Sequence, residues 1–263
     1  MSTRHPISQD SSRDTSQGTP LIDPPRRWRL GILTPSSNTA LEPRTSAMVS
    51  TLPGVTAHFS RFRVTRIGLN AGALGQFDPA PILAAAELLA DARVDAIGWS
   101  GTAAGWRGFD TDVELCARIE AATGIRATTS ILALNERLLA DGVRRLALVT
   151  PYTADVQARI VAAYRAIGIE TVAERHLGIA DNFSFAEVSG AQLDTLVAEV
   201  CTARPDALVP YCTNLVSTER AARWEREHGC TVYDTTTTVV WKMLRMLGGP
   251  LPPAADWGRW LTD

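Results

Sequence analysis

A single cysteine stands where a predicted strand turns into a loop. The stretch LVPYCTNL, from Leu208 to Leu215, runs from apolar residues through a proline to Cys212 and then to small polar residues. This pattern is typical of a buried strand that ends in a loop, and α/β proteins build their sites at that edge of the sheet. The thiol can be a nucleophile, a proton donor, a metal ligand or a buried filler.

The other cysteines and the histidines offer no partner set for a metal. Cys116 and Cys201 lie in helical patterns, Cys230 follows a glycine, and the chain has no C-x-x-C pair. Small buried hydrophobic residues are the better interpretation of these three. The four histidines are scattered without the spacing of metal ligands. We therefore predict no metal site.

Hydroxyl and amide side chains follow several predicted strands, in the loops TPSSNT, WSGTAAG, TPYTAD and PYCTNL. Helix N-termini bind anions, so several such loops around one cleft predict a small carboxylate ligand. The alternative is that these residues only cap helices. No G-x-G-x-x-G motif and no phosphate loop ending in Gly-Lys occurs, which disfavours NAD, flavin and nucleotide chemistry. The residues concerned are Ser36, Ser37, Asn38, Thr39, Thr102, Thr153, Thr213 and Asn214.

The chain repeats itself, and the repeat predicts how these loops are positioned. RLGILTP at Arg29 returns as RLALVTP at Arg145, and RVDAIGWSGTA at Arg93 returns as RPDALVPYCTN at Arg204. Two further echoes follow in the same order: RIGLN with HLGIADN, and TGIRATTS with HGCTVYDTTT. We infer an internal duplication, although any strand followed by a loop looks partly alike.

Each half alternates strands with helices, and short apolar runs such as LALV are typical of strands buried on both faces. We predict an α/β fold of two pseudo-symmetric, doubly wound domains, each with a parallel four-stranded sheet. Strands are predicted near 29–34, 56–64, 94–99, 126–128, 145–150, 169–176, 206–211 and 231–233. Helices are predicted near 40–51, 79–91, 111–122, 153–167, 190–202, 217–227 and 236–247.

The domain boundaries follow from this pattern. Residues 1–26, polar and rich in Ser and Pro, are predicted to form a disordered tail. The first domain is predicted to comprise 27–128 plus 234–263, because the last helix should pack back on it, and the second to comprise 129–233. The carboxyl ends of both sheets should then line one cleft.

Composition excludes several classes of protein. The 263 residues are 45% hydrophobic and 21% charged, with a formal net charge of -2, which does not favour nucleic-acid binding. No apolar run approaches the ~20 residues of a membrane helix, and the first residues lack the apolar core of a secretory signal. We expect a cytoplasmic protein.

The loop motifs carry a family resemblance. TPSSNTALEP, TPYTADVQ and CTN together resemble the aspartate/glutamate racemase superfamily, and within it the branch of maleate cis-trans isomerases and arylmalonate decarboxylases. The resemblance spans about residues 28 to 247. It implies a cofactor-free enzyme that binds a small carboxylate between two α/β domains, and a tendency to form homo-oligomers.

The resemblance also implies roles for individual residues. Cys212 is the expected catalytic acid/base, and Tyr152 of TPY the expected donor to a carboxylate or enediolate oxygen. Asn38 and Asn182 are expected to contact a substrate carboxylate. The remaining expected substrate contacts lie in the same loops: Pro35, Ser36, Ser100, Ala103, Thr213 and Asn214.

Racemases and maleate isomerases of this superfamily use two cysteines, one from each half. Superposing DAIGWSGTA on DALVPYCTN places Gly101 on Cys212 and Thr102 on Thr213, so the mirrored cysteine is missing. Arylmalonate decarboxylases likewise carry a Gly-Thr-Ser loop there, whereas this chain has Ala103 in place of the serine. We also expect Cys212 to be partly thiolate, because nearby helix N-termini lower a cysteine pKa.

A lone cysteine favours one-sided protonation. Decarboxylation of a malonate-type acid generates its own carbanion, which Gly101, Thr102 and Tyr152 would help to stabilise as an enediolate and Cys212 would protonate once. The alternative is an isomerase or racemase in which Ser100 or Tyr152 replaces the missing cysteine. A non-catalytic carboxylate-binding protein is the third hypothesis. Trp99 and Trp106, which flank the first site loop, either wall an apolar pocket or pack in the core.

Overall fold

The computed structural model describes residues 27–261, so the predicted disordered tail, residues 1–26, lies outside the described residues. The first half contains one parallel sheet in the order β2-β1-β3-β4. Its strands are β1 (Trp28–Pro35), β2 (Val55–Phe62), β3 (Ala96–Trp99) and β4 (Ala127–Thr129). Its helices are α1 (Leu41–Ser50), α2 (Ala71–Gly75), α3 (Pro79–Asp91), α4 (Ala104–Arg107), α5 (Asp110–Thr123) and α6 (Ser130–Ala140).

The second half repeats this sheet in the order β6-β5-β7-β8, again with parallel pairing throughout. Its strands are β5 (Arg145–Thr150), β6 (Glu170–His176), β7 (Ala207–Pro210) and β8 (Thr231–Val232). Its helices are α7 (Ala154–Ala166), α8 (Gly190–Cys201), α9 (Ala221–His228), α10 (Thr235–Leu247) and α11 (Ala254–Trp257), with short 3₁₀ turns at Phe183–Glu187 and Thr218–Arg220. The predicted fold class is confirmed.

The duplication is visible in the backbone. Arg93 and Arg204 precede β3 and β7, and both have a φ of 51°, a left-handed conformation that is uncommon for a residue with a side chain. Two residues later, Asp95 accepts a hydrogen bond from the Arg29 amide at 2.7 Å, and Asp206 accepts one from the Arg145 amide at 2.9 Å. The same turn and the same contact to the neighbouring strand therefore occur in both halves.

Helix α10 returns to the first sheet, although it follows the last strand of the second. It packs on β1 and β3 with Val239, Val240, Met243 and Leu244 buried. The contact is close: a Cβ added to Gly98 would lie 2.5 Å from the Met243 sulfur. The exact division of the chain into two domains stays a prediction.

Helix α6 was not predicted. Thr129 caps it by accepting a hydrogen bond from the Leu132 amide at 3.0 Å, and Ile131, Leu134 and Leu138 are buried at helical spacing. It packs against α10, and one continuous apolar core contains residues of both sheets. Within residues 27–261, no helix is long and apolar enough to span a bilayer.

Candidate active site

A small cavity lies where the two halves meet, beyond the ends of β1, β3, β5 and β7. Its volume is about 20 Å³, which is room for about one water molecule. Eight of the twelve predicted site residues line it: Pro35, Gly101, Thr102, Ala103, Tyr152, Asn182, Cys212 and Thr213. The other lining residues are Val64, Ile67, Phe77, Trp99 and Trp106.

Cys212 lies in a tight turn directly after β7. Its amide bonds to the Pro210 carbonyl at 3.0 Å, and the Asn214 amide donates to its sulfur at 3.4 Å. Burial raises the pKa of the thiol to about 11, although hydrogen bonds from Tyr152 and from the backbone of Asn214 and Leu215 lower it. The expectation of a partly ionised thiol is therefore wrong, because desolvation outweighs the donors of the loop. Cys212 is a protonated thiol at neutral pH.

Two hydroxyls lie beside this thiol. Tyr152 follows β5 and Thr102 follows β3, and their oxygens are 2.6 Å apart. Burial, and after it the Cys212 thiol, raise the pKa of Tyr152 well above its ordinary value, so that the phenol keeps its proton. The ring lies between Trp106 and Phe185, at centroid distances of 5.1 and 5.5 Å. A proton donor and two hydroxyls thus face one cavity with aromatic walls.

The predicted amide side chains make hydrogen bonds that cross the cleft between the two halves. The Asn38 side-chain oxygen accepts from the Ala40 and Leu41 amides at 3.0 and 2.9 Å, which caps α1, and its nitrogen donates to the Thr213 hydroxyl at 3.2 Å. Asn214 accepts from the Ala40 amide at 3.1 Å and donates to the Asn182 carbonyl at 2.5 Å. These side chains join the start of α1 to the loops of the second half.

Four predicted site residues do not line the cavity: Ser36, Asn38, Ser100 and Asn214. The Ser36 hydroxyl accepts from the Val64 amide at 3.2 Å. Ser100 is fully buried, and its hydroxyl has no hydrogen-bond partner among residues 27–261. It lies next to the site through its carbonyl, which accepts from the Thr213 hydroxyl at 3.3 Å. The geometry gives Asn38 and Asn214 a positioning contact rather than a place on the cavity wall.

Two echoed segments close the cavity, and sequence reasoning missed their contact. The Ile67 amide donates to the Ala180 carbonyl at 2.8 Å, and the Asn182 amide donates to the Thr65 carbonyl at 2.9 Å. The two segments follow β2 and β6, each of which lies at one edge of its sheet. The echo of RIGLN in HLGIADN was visible in the sequence, but the pairing of the two segments is a tertiary contact. We call residues 65–67 and 180–182 the closing segments.

The described residues contain no group of three or more His, Cys, Asp or Glu side chains arranged to hold a metal ion. The polar groups at the cavity are neutral hydroxyls, a thiol and amides. Such a set can hydrogen-bond a carboxylate and can move one proton between Cys212 and a bound carbon acid.

Comparisons with known proteins agree with this geometry. The family model for arylmalonate decarboxylase matches residues 56–259. The maleate isomerase of Nocardia farcinica is 29% identical over 230 residues, which is 85% of this chain and 91% of that protein. The arylmalonate decarboxylase of Bordetella bronchiseptica is 30% identical over 156 residues, 59% of this chain and 65% of that protein.

Solved structures show the same architecture. A variant of the Nocardia farcinica maleate cis-trans isomerase with a covalently bound succinylcysteine intermediate has a TM-score of 0.79 and 27% identity, and the match covers 90% of this chain and 98% of that one. A structure of arylmalonate decarboxylase has a TM-score of 0.71 at 24% identity, which shows a shared fold. That match covers 89% of this chain and 98% of the other. The resemblance predicted from the loop motifs is confirmed. The chain belongs to the arylmalonate decarboxylase family, in the branch that it shares with maleate isomerases, and is an enzyme of this type.

Proposed function

We propose that the protein is a cofactor-free decarboxylase of malonate-type acids that carry an apolar substituent. One observation carries this proposal: a glycine, Gly101, stands at the position that mirrors Cys212, so the described cavity is lined by one thiol. The family model supports the choice, because it is that of arylmalonate decarboxylase. Membership of an enzyme family also disfavours the hypothesis of a non-catalytic binding protein.

The proposed reaction balances without a co-reactant. The bond between the α-carbon and one carboxylate breaks, CO₂ leaves, and the electron pair moves into the remaining carboxylate to give an enediolate. The Cys212 thiol then donates its proton to the α-carbon, and solvent returns a proton to the thiolate. A thiol whose pKa is raised to about 11 is in the protonated form that this step requires.

The hydroxyls of Thr102 and Tyr152 are the proposed donors to the enediolate. Each such donor contributes about 3–4 kcal/mol when it is aimed at developing negative charge in a water-poor site. Both are buried, and their mutual hydrogen bond of 2.6 Å places the two oxygens on one side of the cavity. The aromatic lining, which includes Phe77, Trp99 and Trp106, is suited to the apolar substituent.

A relative supports the assignment of the chemistry to a cysteine. The structure of the Nocardia farcinica isomerase variant contains a succinylcysteine intermediate, so a cysteine reacts with a carboxylate substrate in that protein. In this chain Cys212 is the cysteine that lines the cavity, while Cys116 and Cys230 are buried elsewhere.

The test is Cys212→Ser, assayed by CO₂ release from a panel of substituted malonates such as phenylmalonate. Loss of the thiol proton is expected to lower turnover by about 10²-fold or more, in the range of general acid catalysis. The matched control is Cys116→Ser, which changes a buried thiol away from the cavity and should keep turnover within about twofold. Unchanged CO₂ release by the Cys212 variant would overturn the proposal.

An isomerase or racemase reaction is the second candidate. The observation that favours it is the buried Ser100 hydroxyl, which has no hydrogen-bond partner within the described part of the chain and is next to Gly101. In that case Ser100 would act opposite Cys212. Solvent deuterium would then exchange into the α-carbon of a chiral carboxylic acid, and Ser100→Ala would abolish the exchange. CO₂ release without such exchange would exclude a racemase reaction.

A further inference from the structure

The equivalence of Gly101 and Cys212 can be followed residue by residue in the structure. Leu30 in β1 pairs with Ala96 in β3, and Leu146 in β5 pairs with Ala207 in β7. The equivalent residues of β3 and β7 are therefore 111 positions apart (207 − 96). The same offset places Gly101 on Cys212 (212 − 101). Both residues line the one cavity, and their loops touch through the bond from Thr213 to the Ser100 carbonyl.

The space beside Gly101 is filled by the ring of Trp99, the last residue of β3. A Cβ built on Gly101 would lie 2.1 Å from Cζ2 of Trp99 and 2.4 Å from its Cε2, far closer than a Cβ atom lies to any neighbour. The indole is 2% exposed and packs on Phe62 at a centroid distance of 4.9 Å. The glycine is therefore required by Trp99, and no side chain enters this position unless the indole moves.

We propose that Trp99 determines the specificity of the site by occupying the volume of the missing side chain opposite Cys212. The indole blocks a second proton-transferring group on that side, and it forms the apolar wall that receives the substrate's substituent. This assignment rests on the proposed function, because it concerns the same cavity and the same reaction. It adds that the one-sided chemistry is set by two residues, Trp99 and Gly101, and not by the glycine alone.

The packing is tested without any catalytic assay. Gly101→Ala in the natural chain is expected to lower Tm by about 5 °C or more, or to prevent folding, because the methyl group overlaps the indole. In a Trp99→Leu chain the same Gly101→Ala change should cost less than about 2 °C. Trp99→Met replaces Trp99→Leu as the background if the leucine variant does not fold. Equal losses in both backgrounds would overturn the proposal.

Gly75→Ala is the matched control for these measurements. Gly75 lies at the end of α2, and a Cβ built there meets no atom within 4 Å among the residues that the structure describes. Its substitution should leave Tm unchanged in both backgrounds. A loss at Gly75 equal to that at Gly101 would mean that the loss of glycine itself, and not the indole, causes the effect, and would also overturn the proposal.

The chemical consequence is tested by adding the missing thiol. In the double variant Trp99→Leu/Gly101→Cys, the new thiolate would remove the α-proton of an α-aryl acid such as α-phenylpropionate, and the Cys212 thiol would return a proton from the other side. Exchange of the α-proton in D₂O, followed by NMR, should be at least about tenfold faster than in Trp99→Leu alone. Gly101→Cys alone, with Trp99 in place, should show no such gain. A gain in Gly101→Cys alone equal to that of the double variant would overturn the role of Trp99.

The two proposals fail in different ways. Absence of CO₂ release from every malonate by the natural chain would remove the decarboxylase function and leave the Tm comparison intact. Equal Tm losses in the natural chain and in the Trp99→Leu chain would remove the role of Trp99 and leave CO₂ release intact.

Discussion

At the scale of single residues, the competition between burial and hydrogen bonding decides the state of the catalytic groups. Cys212 accepts a hydrogen bond from Tyr152 and from two backbone amides, each of which favours the thiolate. Burial nevertheless raises the pKa from the ordinary 9.0 to about 11, which corresponds to about 3 kcal/mol in favour of the thiol. A donor set that activates an exposed cysteine thus leaves a buried one protonated.

The ionisation of Cys212 can be measured directly. The difference in absorbance at 240 nm between the protein and its Cys212→Ser variant should report this thiolate, because the other cysteines cancel and burial raises the pKa of the neighbouring Tyr152 well above its ordinary value. We expect a midpoint near pH 11, since burial disfavours the charged form. A midpoint below about pH 8 would show that the loop amides outweigh burial. N-acetylcysteine serves as the exposed reference thiol.

Tyr152→Phe tests the proposed donor pair. The change removes the phenol oxygen that lies 2.6 Å from the Thr102 hydroxyl and keeps the ring between Trp106 and Phe185. Turnover on a substituted malonate should fall by about 10²–10³-fold, the effect of losing one donor to a developing oxyanion. Tyr164→Phe is the control, because it removes another fully buried hydroxyl outside the cavity wall. Similar losses in both variants would indicate a general effect on folding.

At the scale of elements, loops that belong to different halves are joined by side-chain amides. Asn214 follows Cys212 by two residues, and it accepts hydrogen bonds from the Thr39 and Ala40 amides at the start of α1. The same side chain donates to the Asn182 carbonyl. The loop that carries the thiol is therefore held against α1 and against one closing segment, which fixes where the sulfur lies.

Asn214→Ala should loosen this connection. It leaves buried backbone groups without their partner, at a cost of about 1–3 kcal/mol in the free energy of unfolding. We expect turnover to fall as well, because the Cys212 loop is no longer held. Urea denaturation measures the free energy of unfolding, and CO₂ release from a substituted malonate measures turnover. The control is Ser189→Ala, which removes the cap of α8 from an exposed residue and costs about 0.5–2 kcal/mol without changing turnover.

Helix α5 carries a buried carboxyl group that gives the stability a pH dependence. Burial raises the pKa of Asp112 to about 7, although hydrogen bonding from Thr129 and the charge of Arg107 lower it. Between pH 4 and pH 7 the unfolded chain releases this proton while the folded chain retains it. The contribution of Asp112 to stability is thus present below about pH 4 and is lost as the pH rises through 7.

Asp112→Asn tests whether stability falls as the pH rises, because the amide does not titrate and its oxygen still accepts a hydrogen bond from the Thr129 hydroxyl. The stability of the natural chain, relative to this variant, should fall between pH 4 and pH 7.5 by up to about 4 kcal/mol, from roughly three pKa units at about 1.4 kcal/mol each. Urea denaturation at the two pH values measures the change. A constant difference would contradict the assigned pKa.

At the scale of the whole molecule, the two halves enclose the site between them. The cavity of about 20 Å³ is far smaller than a substituted malonate, so substrate binding requires an opening, and we expect the closing segments to separate. Outside them lies an open groove of about 580 Å³, whose wall includes Arg63, Arg66 and Ile67. Two arginine side chains against one carboxylate, Asp155, leave this wall with a net positive charge, which favours the approach of an anionic substrate.

Hydrogen exchange should detect this opening. The Ile67 and Asn182 amides, which donate across the halves, are expected to exchange at least about tenfold faster than the Leu148 amide in the buried strand β5, because local opening breaks few contacts. Phenylmalonate should slow exchange of the Ile67 and Asn182 amides and leave exchange of the Leu148 amide unchanged. Exchange of Ile67 and Asn182 as slow as that of Leu148, with no effect of the ligand, would contradict entry by this route.

Much of the fold was predictable because the same pattern of apolar runs and polar loops occurs in both halves of the sequence. Short apolar runs followed by polar loops predicted all eight strands, and the repeat of RVDA at Arg93 as RPDA at Arg204 predicted which loops are equivalent. Helix α6 was missed because it begins directly after β4, where a three-residue strand and a helix start share Thr129. No turn residue marks that boundary.

For the site, the loops that carry the chemistry were predictable from the sequence, because parallel strands deliver their carboxyl ends to one edge of a sheet. The missing second thiol was also predictable, since the duplication aligns Gly101 with Cys212. The tertiary structure adds that burial keeps the Cys212 thiol protonated, that the closing segments pair beside the cavity, and that the Trp99 ring fills the space beside Gly101. Desolvation and steric exclusion depend on which atoms surround a group in three dimensions. For Cys212 those atoms come from segments that are distant in sequence. For Gly101 they belong to the nearby Trp99, but the direction of its ring is not specified by the spacing of residues in the sequence.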